Sequence, residues 1–117
     1  MKVGFEGIGH VVATFLTDTS ATKGHPVVVS KNGTVKDCAK GKAPVGVLLG
    51  RRGDQAAVLL HGYVTLPYTG TTAPSLGWND LVGDGTGGLT LAGEDETGRS
   101  LLVVTRDTTA KTMGLFL

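Results

Sequence analysis

Apolar residues recur at every second position through residues 55–67, QAAVLLHGYVTLP. Val58, Leu60, Gly62, Val64 and Leu66 form one set, and Ala57, Leu59, His61, Tyr63 and Thr65 form the other. A repeat of two is the period of a β-strand with one face more apolar than the other. It predicts one long strand around which the chain is organised. At ~3.3 Å per residue that strand would run about 40 Å, so it projects from a small domain or bends within it. Gly62 is the expected bend, since a mid-strand residue without a side chain marks a bulge or a close backbone approach. Pro67 is the expected stop, having no N–H for the ladder.

The same pattern predicts the other strands. Residues 11–16 carry Val11, Ala13 and Phe15 on one side and Val12, Thr14 and Leu16 on the other, which places them between layers or in a barrel wall. In residues 25–39, Asn32-Gly33 is the preferred pair for a two-residue hairpin turn. The register that follows pairs Lys31 with Thr34 and Val27 with Cys38, and sets Val27, Val29 and Cys38 on one face. Residues 45–49 begin a second hairpin that turns at GRRGD and returns along the long strand. Residues 68–99 are polar and rich in glycine and predict short strands and functional loops, among them a hairpin of Leu81-Val82 with residues 89–91. Residues 100–106 and 112–117 form a last hairpin across DTTAK, and its apolar end must be paired or buried. No stretch of ten residues keeps a helical period, so the fold class is all-β, with residues 1–10 an N-terminal arm and 11–117 a single β domain.

A faint internal repeat runs through this pattern. Gly24 followed by VVVSKNGT resembles Gly77 followed by LVGDGT, and VLLGRRGDQAAVLL resembles VVTRDTTAKTMGLFL. It is consistent with two related β-halves in one barrel or sandwich.

Composition narrows the function. Eleven basic and ten acidic residues leave a net charge of +1, too little to steer nucleic acid, an anionic membrane or an acidic substrate. Cys38 is the only cysteine, which excludes an intrachain disulfide and suits a reducing compartment and a small buried side chain. No run serves as a signal h-region or a membrane span. Nineteen glycines predict many turns.

The letters of active sites are present without their spacing. Arg52-Gly53-Asp54 falls where a hairpin needs its turn and is read as one. Asp84, Glu94, Asp95 and Glu96 lack the spacing of a calcium loop. His10, His25 and His61 are isolated, no serine has a GxSxG context, and no histidine is placed to activate Cys38. No catalytic, cofactor-binding or metal residues are assigned, and an enzyme is not expected. Trp78, alone in a polar stretch, is either a loop anchor or an interface hot spot.

One stretch resembles a known family. Lys23-Gly24, Val27, Ser30, Gly33 and Val35, then Pro44-Val45-Gly46-Val47, then the 57–67 strand resemble the small capsid cement, or head decoration, proteins of tailed bacteriophages. The likeness covers residues 22–67. It implies a small antiparallel β-barrel or β-tulip-like sandwich with long glycine-rich loops. Such a protein is made in the bacterial cytoplasm and sits on the outside of the phage head, often as a homotrimer bound to the major capsid protein, with no nucleic-acid or membrane partner. No catalytic residue carries over. The contact candidates are Phe5 and Ile8 in the arm, Arg51 and Arg52 at the hairpin tip, Trp78, and Leu115, Phe116 and Leu117 at the end of the chain. The alternative is an adhesion or carbohydrate-binding β-module that stacks sugars on Trp78, Tyr68 and Tyr63. A third reading is a small hydrolase that uses Cys38 or His61.

Overall fold

The computed structural model describes residues 9–18 and 21–117. Ten strands and no helix organise them: β1 Val11–Thr17, β2 Pro26–Lys31, β3 Thr34–Asp37, β4 Gly46–Arg52, β5 Gln55–His61, β6 Tyr63–Pro67, β7 Gly77–Gly83, β8 Leu89–Leu91, β9 Arg99–Asp107 and β10 Thr112–Phe116. The first five close into a barrel in the order β1-β3-β2-β4-β5, and the second five form a sheet in the order β6-β10-β9-β7-β8. The fold is all-β, as the alternation requires.

The long strand breaks at Gly62, where φ is +136° and the His10 ring fills the space a side chain would need. Both facts demand glycine. The bend carries the chain out of the barrel at His61 and into the sheet at Tyr63.

The two halves share one connectivity. β1 pairs with β5, β5 with β4, β4 with β2 and β2 with β3; likewise β6 pairs with β10, β10 with β9, β9 with β7 and β7 with β8. The barrel closes where β1 meets β3 in parallel at Leu16↔Thr34 and Thr17↔Val35. In the sheet the matching closure is a single parallel bridge, Tyr68↔Leu89. Each half also ties the loop after its first strand with an arginine from its fourth. Arg51 donates to the carbonyl of Ala21 at 2.9 Å, and Arg106 to that of Pro74 at 2.9 Å. The faint sequence repeat is therefore a repeat of topology.

Each half has its own apolar cluster. Val27, Val35, Leu48, Ala56 and Val58 fill the barrel, while Leu66, Tyr68, Leu81, Leu89, Leu101, Val103, Met113 and Leu115 lie beneath the sheet. Val47 of β4 joins the sheet's cluster, so the halves pack on each other. Backbone bonds stitch the seam, Gly41 N–H to Gly83 O at 3.0 Å and Gly83 N–H to Lys42 O at 2.8 Å.

Two expectations change, both in the first hairpin. A bulge at Ser30 shifts the first hairpin, so Lys31 faces Thr34 but Val27 faces Asp37 rather than Cys38. Cys38 is buried, but at the seam against Gly83 instead of beside Val27 and Val29. Val29 is exposed because β4 covers only Pro26 and Val27 of β2. β1 lies in the barrel wall, one of its two expected places, and among the described residues nothing packs over its outer face, where Val12 and Leu16 are about half exposed at 49% and 47%.

Candidate functional sites: two apolar faces

The outer face of the barrel is assembled from β1, β5 and β4. Thr14 pairs with Ala57 and Ala57 with Gly50, and strand alternation brings Val12 and Leu16 to the same side as Thr14. The bulge between Leu48 and Gly50 turns Leu49 outward, 42% exposed. Thr14, Leu49, Gly50, Ala57 and the two arginines line a groove of about 470 Å³. Arg51 is committed to the fold through Ala21 O, Asp18 O at 3.4 Å and Gly53 O at 3.2 Å. Arg52 is exposed at the groove's end. Gly53 takes φ +62° in the turn, as a two-residue hairpin requires, so Arg52-Gly53-Asp54 is a strand end and its turn.

A second face lies on the sheet. Register aligns Tyr63 with Phe116, Phe116 with Leu102 and Leu102 with Trp78, one row across four strands. The core takes Leu101, Val103 and Leu115, so the row faces away from it. Tyr63 and Phe116 meet edge to face with ring centroids 5.6 Å apart. Trp78 ends the row 70% exposed, which makes it a surface residue and not a loop anchor, and Leu76 beside it is 60% exposed.

The remaining candidates separate. Leu115 is fully buried at the centre of the sheet, so it serves the core and is no contact residue. Leu117 packs against that core, and its amide reaches Gly62 O at 2.9 Å. Phe5 and Ile8 lie outside the described residues. Tyr68, expected among stacking residues, is 3% exposed in the sheet's core with the Lys111 ammonium 5.9 Å from its ring centre.

Burial pushes the Cys38 thiol up from its ordinary pKa, and the thiol donates to Lys42 O at 3.1 Å. A protonated thiol held by carbonyls is a poor nucleophile, so this geometry does not support the hydrolase reading for Cys38. The acidic loops serve themselves: Asp84 Oδ1 accepts from the Thr86 amide at 2.7 Å and the Gly88 amide at 3.0 Å, and Glu96 Oε1 from the Gly93 amide at 2.7 Å. No group of three or more His, Cys, Asp or Glu side chains is arranged to hold a metal among the described residues.

Compared with known proteins, the chain matches no protein-family model and no curated protein closely enough to be assigned to a family.

Sequence reasoning singled out Trp78, Arg52 and Phe116 but missed Val12, Leu16, Leu49, Leu76 and Leu102. The signal for β1 is its two apolar faces, which predict a place between layers or in a barrel wall without saying which face stays open.

Proposed function

We propose that this chain is a structural protein that binds the outside of an assembled phage head and cements its lattice by contacting the major capsid protein. The observation that carries this reading is the pair of exposed apolar faces, one on each half. A monomer gains nothing from leaving Val12, Leu16 and Leu49 on one face and Trp78 and Leu76 on the other in water, and such patches mark contact surfaces. Two faces on one packed unit suit a staple, which holds two neighbours or a neighbour and a second copy of itself. The resemblance of residues 22–67 to decoration proteins supports a phage head as that lattice. Because a cement binds only the assembled shell, each copy adds its binding energy to the particle, and symmetry multiplies a modest contact.

The carbohydrate reading has one observation in its favour, the presence of Tyr63, Phe116 and Trp78 in a single row. The edge-to-face angle of 68° between the first two rings denies a sugar two coplanar platforms, so the staple is preferred.

The test is co-sedimentation with expanded heads assembled from the major capsid protein of the phage that carries the gene. The protein should pellet with heads and stay in solution with unassembled capsid protein. Val12→Thr and Trp78→Ser, both exposed, should alter stability by less than about 0.5 kcal/mol yet weaken binding to heads. No pelleting with heads, or undiminished pelleting by both variants, overturns the reading.

A further inference from the structure

At the seam, one guanidinium reaches from the sheet into the barrel half. Arg99 opens β9 opposite Leu81 and two residues before Leu101, both in the core, so its side chain leaves the sheet on the barrel side. Its Nη1 donates to the carbonyls of Pro44 at 3.3 Å and Val45 at 2.9 Å, and its Nη2 to that of Leu60 at 3.3 Å. These three residues, with Arg99 itself and His61, line a pocket of about 300 Å³. The head group therefore lies against the pocket wall.

Two features of this arginine are unusual. Among the described residues no carboxylate comes within 4.0 Å of it, although it is half-buried. Burial accordingly pulls its pKa below the ordinary arginine value. Carbonyls occupy its hydrogens without cancelling its charge, and a partly desolvated charge attracts a counter-ion more strongly than one in water. The second feature is directional. A guanidinium has five N–H donors, and among the described residues three carbonyls accept from Nη1 and Nη2, so at least two donors, Nε–H among them, are left for the oxygens of a carboxylate.

We propose that this pocket is a carboxylate-binding site. The remaining donors of Arg99 take the oxygens, and the exposed His61 ring at the end of β5 supplies a further N–H at the pocket wall. The carboxylate belongs to a small organic acid or to an Asp or Glu side chain of a docked protein. The inference stands on the seam and does not depend on the lattice reading.

The experiment follows the arginine Nε–H resonances of the ¹⁵N-labelled full chain while sodium acetate is titrated against sodium chloride at equal ionic strength. The Arg99 signal should shift saturably with acetate in the millimolar range, while those of Arg51, Arg52 and Arg106 respond to both salts alike. His61→Gln, at an exposed position that leaves the fold intact, should weaken acetate roughly two- to fivefold, which is what an exposed partner is worth. N-acetyl-glutamate amide binding tighter than acetate assigns the site to a protein side chain, and equal binding assigns it to small acids. An Arg99 signal that ignores acetate, or follows chloride equally, overturns the proposal; unchanged affinity in His61→Gln removes the histidine from it.

Discussion

The barrel and the sheet are built on one connectivity but secured in different ways. The barrel closes through two parallel pairs between β1 and β3, and it turns from β2 to β3 at Asn32-Gly33, where Gly33 adopts φ +65° and the Thr34 and Ser30 hydroxyls donate to backbone carbonyls, with no charged group involved. The sheet has only the Tyr68↔Leu89 bridge in place of that closure, and its β7–β8 turn is organised by a carboxylate, Asp84. The half with more backbone closure leaves its outer wall apolar and bare. The half with less takes Val47 from its neighbour and is clamped by Arg99. A repeated topology can thus be completed by its own hydrogen bonds or by leaning on its partner, and here each half does one.

The comparison breaks most sharply if the halves unfold separately. Leu115→Ala removes a fully buried side chain from the middle of the sheet, and a large-to-small change of this kind costs about 2–5 kcal/mol. Because the seam couples the halves, native-state hydrogen exchange should show protection falling equally at β2 and β4 amides and at β9 amides. Loss confined to the sheet would mean that the barrel stands alone.

Arg99→Met probes the coupling itself. It deletes three charge-assisted bonds to carbonyls of Pro44, Val45 and Leu60, at a cost of about 2–3 kcal/mol. Exchange protection should then split, the sheet losing more than the barrel. A uniform loss would show that the Val47 packing and the Gly83 bonds carry the coupling without the arginine.

Much of the first half was legible because its signals are local. The alternation in 55–67, the glycine at its centre and the Asn32-Gly33 turn each determine a conformation within a few residues. What escaped was non-local. The parallel β1–β3 closure joins residues eighteen apart at Leu16↔Thr34, which alternation cannot report. The Ser30 bulge has no letter of its own, and one extra residue was enough to move Val27 from Cys38 to Asp37. Leu115 and Val12 show the same limit for the candidate sites. Both are aliphatic residues in apolar strands, yet Leu115 faces the core beneath the sheet while Val12 lies on a face of β1 that no described residue covers, so one is buried and the other exposed. The Arg99 pocket had no sequence signal, because its partners are backbone carbonyls from two segments far from Arg99 in the chain, Pro44-Val45 and Leu60.

The smallest expected effect sharpens the contrast between the two turns. Burial raises the Asp84 pKa, but the Thr86 and Gly88 amides and the Thr86 hydroxyl favour the carboxylate more, and the net shift is downward. A carboxyl group depressed in the folded state stabilises above its unfolded value of about 3.9, and that contribution fades as pH falls through the lower folded value. Asp84→Asn keeps one acceptor oxygen for the amides, turns the other oxygen into an NH2 group and removes the charge, so it should cost about 1 kcal/mol at neutral pH. The difference should vanish only below the depressed folded value, where the native carboxyl is protonated as well. Denaturant titrations at pH 7 and in acid measure both. The Asn32-Gly33 turn carries no titratable group, so Asn32→Ser should cost the same at either pH. A penalty for Asp84→Asn that persists undiminished in acid would mean the loop is held by its backbone, and the two turns would then differ in length and not in kind.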